Sequence, residues 1–190
     1  MYTEKYLPNG KYNMDNAERY EMTPPQSILE FAELKDGMTV CDIGCGTGFY
    51  TETAAKMNPN GKIYALEVSQ DNLDSCRARC EKLGLTNVEY RIIAVDSPLF
   101  AEGIADLVLF CIVCHETKDR PKYMKRVKGL LKPGGRILFI EWLNPPGLTP
   151  PPADRVVPKE LAHSIVAEAG LRVIKEQDCG DFYIWLLEQE

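Results

Sequence analysis

Hydrophobic and polar positions follow two different periods between residues 38 and 92. The apolar runs MTVCDIG and KIYALEV have the length and composition of buried strands, and FYTETAAKM between them has the period of a helix. A second helix is predicted from Ser69, a suitable N-cap, to Leu83, with Gly84 ending it in the left-handed conformation. Its apolar stripe, which is predicted to face the sheet, consists of Leu73, Cys76, Cys80 and Leu83. Strand, helix and strand in this order predict a βαβ unit.

The same alternation continues to the C-terminus. Strands are predicted over residues 87–93, 105–113 and 136–142, with helices near 119–131 and over 159–169. The run LVLFCIV is continuously apolar, which is typical of a strand buried on both faces of a parallel sheet. LRVIKEQD and FYIWLLEQ, separated by Cys179-Gly180-Asp181, predict a terminal antiparallel pair. The whole pattern indicates an α/β protein with a doubly wound, mostly parallel sheet and helices on both faces.

Two segments fall outside this alternation. Residues 1–36 are polar and tyrosine-rich until Pro24-Pro25 opens a short amphipathic stretch, QSILEFAEL. Residues 144–158 contain six of the 13 prolines, which predicts a semi-rigid surface loop because proline lacks the N–H donor of regular structure. A length of 190 residues fits a single domain. We therefore divide the chain into a helical cap or lid segment over residues 1–36 and a core over residues 37–190.

Composition and charge exclude several classes of function. The 22 basic and 28 acidic residues give a net charge of −6, whereas proteins that bind a phosphate backbone usually carry a basic excess. Nucleic acid is therefore not expected as a partner. No apolar run is long enough to span a membrane or to act as a signal peptide, so we expect a cytoplasmic protein without a membrane span, and seven cysteines are then expected to be reduced thiols. Oligomeric state and metal dependence cannot be inferred from these features.

The glycine-rich segment DIGCGTG lies between the first strand and the first helix of the βαβ unit. Glycines at this place let the backbone turn tightly and approach a ligand. The dinucleotide fingerprint needs Gly or Ala at the sixth position, which here is Phe49. Asp42 precedes the glycines, where its carboxylate would repel a pyrophosphate and attract an ammonium group. The loop therefore favours S-adenosylmethionine (SAM), which has an amino acid tail and no phosphate, over NAD.

Glu67 is the next acid, at the end of the second strand and 19 residues beyond Gly48. A carboxylate there can accept hydrogen bonds from both hydroxyls of a ribose. The loop, the acid before it and the acid after it thus agree on one cofactor. A tight turn followed by a solvated glutamate is the purely structural alternative.

Four segments, in this order, resemble the class I SAM-dependent methyltransferases: VCDIGCGTGFYT, IYALEVS, ADLVLFCIVCHE and LLKPGGRILFIEW. The nearest match is a small bacterial and archaeal group that contains quinone-biosynthesis-like enzymes, and the resemblance extends from Ile28 to the C-terminus. It implies a seven-stranded Rossmann-like sheet in the order 3-2-1-4-5-7-6 with strand 7 antiparallel. It also implies that residues 37–190 bind SAM, transfer its methyl group to a small molecule and leave S-adenosylhomocysteine.

The resemblance assigns residues to the cofactor. It implies that the methionine end of SAM contacts Asp42, Gly44, Gly46 and Gly48. It also implies that Glu67 binds the ribose and that the backbone of Cys111 approaches the ammonium group. Asp96, in Ala94-Val95-Asp96, stands two residues from where many relatives have an acid that holds the adenine amino group. Asp96 is therefore either a substitute for that acid or a loop cap before Pro98. The expected cofactor-binding set is Asp42, Gly44, Gly46, Gly48, Glu67, Val68, Val95, Asp96 and Cys111.

His115 and the cysteines leave alternatives open. His115 follows the fourth strand at the carboxyl edge of the sheet, where it acts either as a general base or as a packing partner beside the cofactor. Cys111 and Cys114 match the haem pattern C-x-x-C-H, but residues three apart on a strand point to opposite faces, which favours buried thiols. Core packing is also expected for Cys76 and Cys80, and a surface position for His163.

Three other functions compete with methyl transfer to a small molecule. The first is a sensor or partner subunit that binds SAM without turnover. The second is a nicotinamide oxidoreductase, which Phe49 and Asp42 oppose. The third is an arsenite- or thiol-directed methyltransferase that uses Cys45, Cys111 and Cys114. In every methyltransferase interpretation, the Tyr-rich segment (Tyr2, Tyr6, Tyr12 and Tyr20) and residues 144–158 are predicted to cover a small, partly apolar acceptor.

Overall fold

The computed structural model describes residues 13, 15–94, 101–143 and 156–190. Within these ranges seven strands form one sheet in the order β3-β2-β1-β4-β5-β7-β6. The strands are β1 Thr39–Ile43, β2 Lys62–Glu67, β3 Val88–Ile92, β4 Ala105–Cys111, β5 Leu131–Trp142, β6 Leu171–Cys179 and β7 Phe182–Gln189. β7 runs antiparallel to both of its neighbours, β5 and β6, and the other adjacent strands are parallel. The strand order and directions that the family resemblance implied are confirmed.

Helices cover both faces of this sheet. They are α1 Ala17–Met22, α2 Pro25–Phe31, α3 Thr51–Met57, α4 Gln70–Glu81, α5 Arg120–Gly129 and α6 Lys159–Glu168, with a 3₁₀ turn at Cys114–Glu116. The buried residues of α5 and α6 share one apolar cluster with Val108 and Phe110 of β4, and those of α2 and α3 share another with Leu107 and Leu109. Alternate residues of β4 therefore enter opposite cores, as the continuous apolar run predicted.

The central strands β4 and β5 differ from their predicted limits. β4 ends at Cys111, two residues early, because Ile112 has a φ of +61°, which no extended strand allows. β5 begins at Leu131, which pairs with Ala105 before the register shifts. Residues 132–135 therefore form an irregularity inside the strand, with Gly134 at a φ of +78°, and not a turn that precedes it.

Helix α4 is shorter than the prediction. The Ser69 hydroxyl accepts from the Asn72 N–H at 3.4 Å, so the predicted N-cap is present. Leu73, Cys76 and Cys80 are buried, which confirms three positions of the apolar stripe. The placement of Leu83 was wrong: it is 47% exposed, because the helix ends at Glu81 and the backbone then turns away.

The N-terminal helices are joined to the core. Asn16 caps α1 by accepting from the Arg19 N–H at 2.8 Å, and α2 buries Ile28 and Leu29 in the cluster that it shares with α3. Residues 1–12 and 14, with Tyr2, Tyr6 and Tyr12, lie outside the described residues, as do residues 144–155 of the proline-rich segment. The cap or lid role of these segments stays a prediction. In the described ranges, no helix has both the length and the apolar character that crossing a bilayer requires.

Leu73 and Leu83 provide a matched test of the end of α4. Leu73→Ala removes a side chain that is 2% exposed, so we expect it to lower the free energy of unfolding by about 2–5 kcal/mol. Leu83→Ala should change it by less than about 0.5 kcal/mol. Urea unfolding followed by circular dichroism measures both. Equal losses in the two variants would contradict the observed end of the helix.

Candidate active site

The glycine loop begins where β1 ends and is fixed to the neighbouring strand. The N–H groups of Gly44 and Cys45 both donate to the carbonyl of Leu66, at 2.7 and 3.1 Å. Gly46 has a φ of +55°, and a Cβ built on it would meet no atom within 4 Å. A side chain at this position would therefore enter open space in front of the loop, which is the space that a ligand needs.

Glu67, at the end of β2, is a structural part of the loop. One carboxylate oxygen accepts from the Gly46 N–H at 2.8 Å, and the other accepts from the N–H groups of Val68 and Ser69 at 2.8 and 3.0 Å. The side chain is only 6% exposed. The predicted solvated alternative is therefore wrong, because Glu67 connects the glycine loop to the beginning of α4.

A cavity of about 140 Å³ lies in front of the loop and contains charges of both signs. Asp42 is 3% exposed, and its carboxylate accepts from the Thr51 hydroxyl at 2.5 Å. Burial raises the pKa of Asp42 to about 6; the Thr51 hydrogen bond and the Arg19 charge oppose this rise, and the Glu67 charge adds to it. The residues that line the cavity are Arg19, Asp42, Gly44, Cys45, Gly46, Thr47, Phe49, Tyr50, Cys111 and Ile112.

Arg19, on α1, is a site residue that sequence reasoning missed. It is 4% exposed, and its guanidinium carbon lies 3.8 Å from the centre of the Phe49 ring. Asp15, which lies before α1, accepts from the Thr47 hydroxyl and pairs with Arg79 at 3.1 Å, so the segment before α1 is attached to the loop. No local pattern distinguishes Arg19 from other charged residues of the N-terminal segment.

A second cavity, of about 210 Å³, adjoins the first and is bounded mainly by apolar side chains. Gly44 and Ile112 line both cavities, so Ile112, with its positive φ, stands between them. The lining residues are Ile43, Gly44, Glu67, Val68, Ile93, Ile112, Val113, Glu116, Thr117 and Tyr123. Val95 and Asp96, the predicted adenine contacts, lie outside the described residues.

His115 is buried against Glu141, the second residue that sequence reasoning missed. Its Nδ1 lies 3.1 and 3.0 Å from the two carboxylate oxygens of Glu141, which is 1% exposed. Burial lowers the pKa of His115, but the hydrogen bond and charge of Glu141 outweigh it, so the pKa of His115 is raised. A charged residue inside the apolar strand RILFIEW was the available signal for Glu141.

The cysteines suggested for thiol or arsenic chemistry do not meet. Cys45, Cys111 and Cys114 belong to three separate buried clusters. Cys45 is in hydrogen-bonding contact with Cys76, and Cys76 with Cys80, beneath the glycine loop. The hydrogen bond with the neighbouring thiol, followed by burial, raises the pKa of Cys76 and of Cys80; for Cys45 the hydrogen bond with Cys76 lowers the pKa, but burial and nearby charges outweigh it. Cys76 and Cys80 are fully buried, which agrees with their predicted core packing. Among the described residues, no group of three or more His, Cys, Asp or Glu could hold a metal ion.

Comparison with known proteins identifies the family. A family model described as a methyltransferase domain matches residues 34–168, which is more than half of the chain. The chain belongs to the methyltransferase domain family. The match begins before β1 and ends with α6, so it includes the His115–Glu141 pair and every lining residue of the two cavities except Arg19.

Several proteins are similar to this methyltransferase-domain chain. A demethylmenaquinone methyltransferase from Lactococcus lactis is 29% identical over 110 residues, which are 57% of this chain and 44% of that protein. A ubiquinone biosynthesis O-methyltransferase from Dinoroseobacter shibae is 30% identical over 153 residues, which are 76% of this chain and 60% of that protein. The chain therefore spans less than two thirds of these relatives. A solved SAM-dependent methyltransferase from Aquifex aeolicus aligns with a TM-score of 0.82 and 27% identity, over 92% of this chain and 94% of that one.

We expect Asp42 to lower the free energy of unfolding of this methyltransferase domain at neutral pH. Its pKa rises from 3.8 to about 6 on folding, so the native carboxyl is favoured in the protonated form and stability is lost as the pH rises through this window. Asp42→Asn should therefore increase the free energy of unfolding above pH 6, by an amount on the order of 3 kcal/mol, and have little effect near pH 4. Urea unfolding as a function of pH measures the difference.

Asp36 is the control for the Asp42 experiment. Its exposed carboxylate accepts from the backbone and side-chain N–H groups of Asn60, which lower its pKa. Asp36→Asn should therefore destabilise the protein at neutral pH, and this loss should disappear in acid. If both variants change stability in the same direction, burial is not the cause of the Asp42 effect.

Proposed function

We propose that this chain is a SAM-dependent methyltransferase that acts on a small molecule with an apolar ring and a hydroxyl group. The observation that supports it most strongly is the pair of adjoining cavities. One cavity presents a carboxylate and a guanidinium group, and the other is mostly apolar with the carboxylates of Glu67 and Glu116 in its lining. These properties match the amino acid end and the nucleoside end of SAM.

The first cavity suits a zwitterion. Asp42 lines it on the side proposed for the ammonium group and Arg19 on the side proposed for the carboxylate, and each charge-assisted hydrogen bond contributes about 1.5–3 kcal/mol. The open space at Gly46 leaves room for the ligand beside these charges. Cys111 lines the same cavity, which supports the predicted contact of its backbone with the ammonium group.

The Glu67 side of the second cavity suits adenosine, which leaves its Glu116 side to the acceptor. Glu67 lines this cavity, and the carboxylate oxygen that accepts from the Gly46 N–H retains a further acceptor site, whereas the other oxygen already accepts from Val68 and Ser69. Val68 and Ile93 offer apolar surface to the base. Val95 and Asp96 remain predicted contacts of the adenine. Ile112 would lie close to the sulfur, because it borders both cavities.

Bound SAM supplies a methyl group on a positively charged sulfur, with a neutral thioether as the leaving group. The chain then has to orient the acceptor and exclude water, and such positioning contributes about 7–11 kcal/mol to lowering a barrier. His115, next to the second cavity through Glu116, is suited to take the proton of an acceptor hydroxyl.

A quinone-like acceptor fits the family and the charge of the chain. The two curated relatives carry names from menaquinone and ubiquinone biosynthesis. A net charge of −6 disfavours a nucleic acid substrate. We therefore expect an uncharged or weakly acidic aromatic acceptor, covered by the tyrosine-rich and proline-rich segments.

Gly46→Ala and Gly84→Ala together test the cofactor site. Both glycines have positive φ and open space at the Cβ position, so both variants should lose about 1–2 kcal/mol of stability. Only Gly46→Ala should weaken SAM and S-adenosylhomocysteine, by more than tenfold in calorimetry. Equal affinity in the two variants would remove the glycine loop from the site.

Turnover is tested with radiolabelled SAM and a panel of catechols and hydroxyquinones. Methylated product supports the proposed reaction. Binding of SAM without product from any member of the panel would favour the sensor alternative.

SAM affinity should fall in acid. Asp42 loses its charge below about pH 6, so the dissociation constant for SAM should rise up to tenfold for each pH unit below that value. Above pH 6 the affinity should be constant. Asp42→Asn should bind weakly at every pH, whereas His115→Gln should keep the wild-type profile. A wild-type profile that persists in Asp42→Asn would assign the titration to another group.

A further inference from the structure

We propose that Glu141 is a positioning residue that holds His115 with Nδ1–H directed at β5 and leaves Nε2 on the side of Glu116 and the second cavity. This inference rests on the proposed function and narrows it. A histidine fixed in this way serves an acceptor whose nucleophile must lose a proton, such as a phenol or an enol, and is superfluous for a nucleophile that is already an anion.

The hydrogen bonds around Glu141 determine the tautomer. The backbone N–H groups of His115 and Trp142 donate to its two oxygens, at 3.1 and 3.3 Å. Nδ1 lies within 3.1 Å of both oxygens. Because both oxygens of Glu141 already accept from a backbone N–H, we assign the proton of the His115–Glu141 contact to Nδ1. The lone pair of a neutral His115 is then on Nε2.

Glu141 would be costly without a role. It is 1% exposed and follows the buried residues Phe139 and Ile140 in β5. A buried carboxylate needs several hydrogen bonds to offset its lost hydration, and an apolar residue would avoid that cost. Among the described residues, the hydrogen-bond partners of its side chain are the backbone N–H and Nδ1 of His115 and the backbone N–H of Trp142. The pair therefore serves the orientation of the imidazole better than it serves the core.

The Nε2 side of His115 faces the cavity through Glu116. Nε2 lies 3.3 Å from a carboxylate oxygen of Glu116, whose side chain is 57% exposed and lines the second cavity. The other charged group near the ring is Arg120 of α5, and Tyr183 of β7 and the Cys114 thiol face Glu141. Glu141 and Glu116 favour the imidazolium, while burial and Arg120 oppose it, and the pKa of His115 is raised in consequence.

The proton and charge balance of the step follows. The acceptor oxygen gives its proton to Nε2 and forms a bond to the methyl carbon. The carbon–sulfur bond breaks with its electron pair left on sulfur. The positive charge that sulfur loses therefore ends on the imidazole ring, between Glu141 and Glu116, both of which stabilise it.

The tautomer can be measured directly, because the chain has only two histidines. His163 lies on α6, where its ring centroid is 4.3 Å from that of Trp185, and His163→Gln leaves His115 as the single imidazole signal. Long-range ¹H–¹⁵N NMR of this variant should show the Nδ1–H tautomer at high pH and a pKa above 6.5. The Nε2–H tautomer, or a pKa at or below 6.5, would overturn the proposal.

Variants separate Glu141 from general effects of charge. In the His163→Gln background, Glu141→Gln should lower the pKa of His115 by at least one unit, and Glu116→Gln, at an exposed position, should lower it by less. Glu176→Gln, on the exposed edge of β6, is the matched control and should leave it unchanged. If Glu141→Gln does not fold, the Nδ1–H tautomer and the Glu116→Gln shift still decide the question.

Kinetic measurements distinguish a role of Glu141 in orienting His115 from a role in stabilising the fold. With 3,4-dihydroxybenzoate as acceptor, Glu141→Gln should reduce kcat tenfold or more, shift the acid limb of the kcat/KM profile to lower pH and leave the KM for SAM unchanged. A lower Tm with an unshifted limb would overturn the positioning role. If no catechol or hydroxyquinone is methylated, the proposed acceptor class fails, while the NMR result still decides how Glu141 holds His115.

Discussion

Buried carboxylates at the ends of parallel strands are the constraint on which this site depends. Asp42 and Glu141 each lie one residue before the end of their strands, β1 and β5, and Glu67 is the last residue of β2. Each of the three side chains is at most 6% exposed. A carboxylate removed from water has to find donors nearby. Glu67 and Glu141 find them in backbone N–H groups and in His115, so satisfying the acids also fixes the glycine loop and the imidazole ring.

Asp42 differs from the other two acids in the donors that surround it. In the described part of the chain, the Thr51 hydroxyl is the side-chain donor that it meets, and burial raises its pKa to about 6. The ionised form of such a buried carboxyl group gains more from a nearby cation than from another neutral donor. Arg19 approaches the same cavity from α1, so this helix contributes a charged side chain to the cavity wall. A truncation that removes Arg19 would alter cofactor contacts together with any lid.

The sequence was informative where the determinant is local. Period-two and period-3.6 patterns gave the strands and helices, and the order of Asp42, the glycines and Glu67 along one βαβ unit gave half of the candidate site. Leu83 was misplaced because the helix stops within a continuing apolar period. Arg19 and Glu141 were missed because each acquires its meaning from a partner distant in sequence, Asp42 for the first and His115 for the second. Ile112 was assigned to a strand because a β-branched residue favours one and rarely adopts a positive φ.

Ile112 also shows where the fold gives up stability. A β-branched residue with a φ of +61° costs on the order of 1–3 kcal/mol, and the buried charge of Asp42 has a similar cost. Both residues line the cavity in front of the glycine loop. The N–H of Ile112 still donates to Ile140 at 2.7 Å, so the ladder between β4 and β5 holds the strained residue in place. β4 and β5 are buried on both faces, and this burial stabilises the central sheet enough to offset the strain at the end of β4.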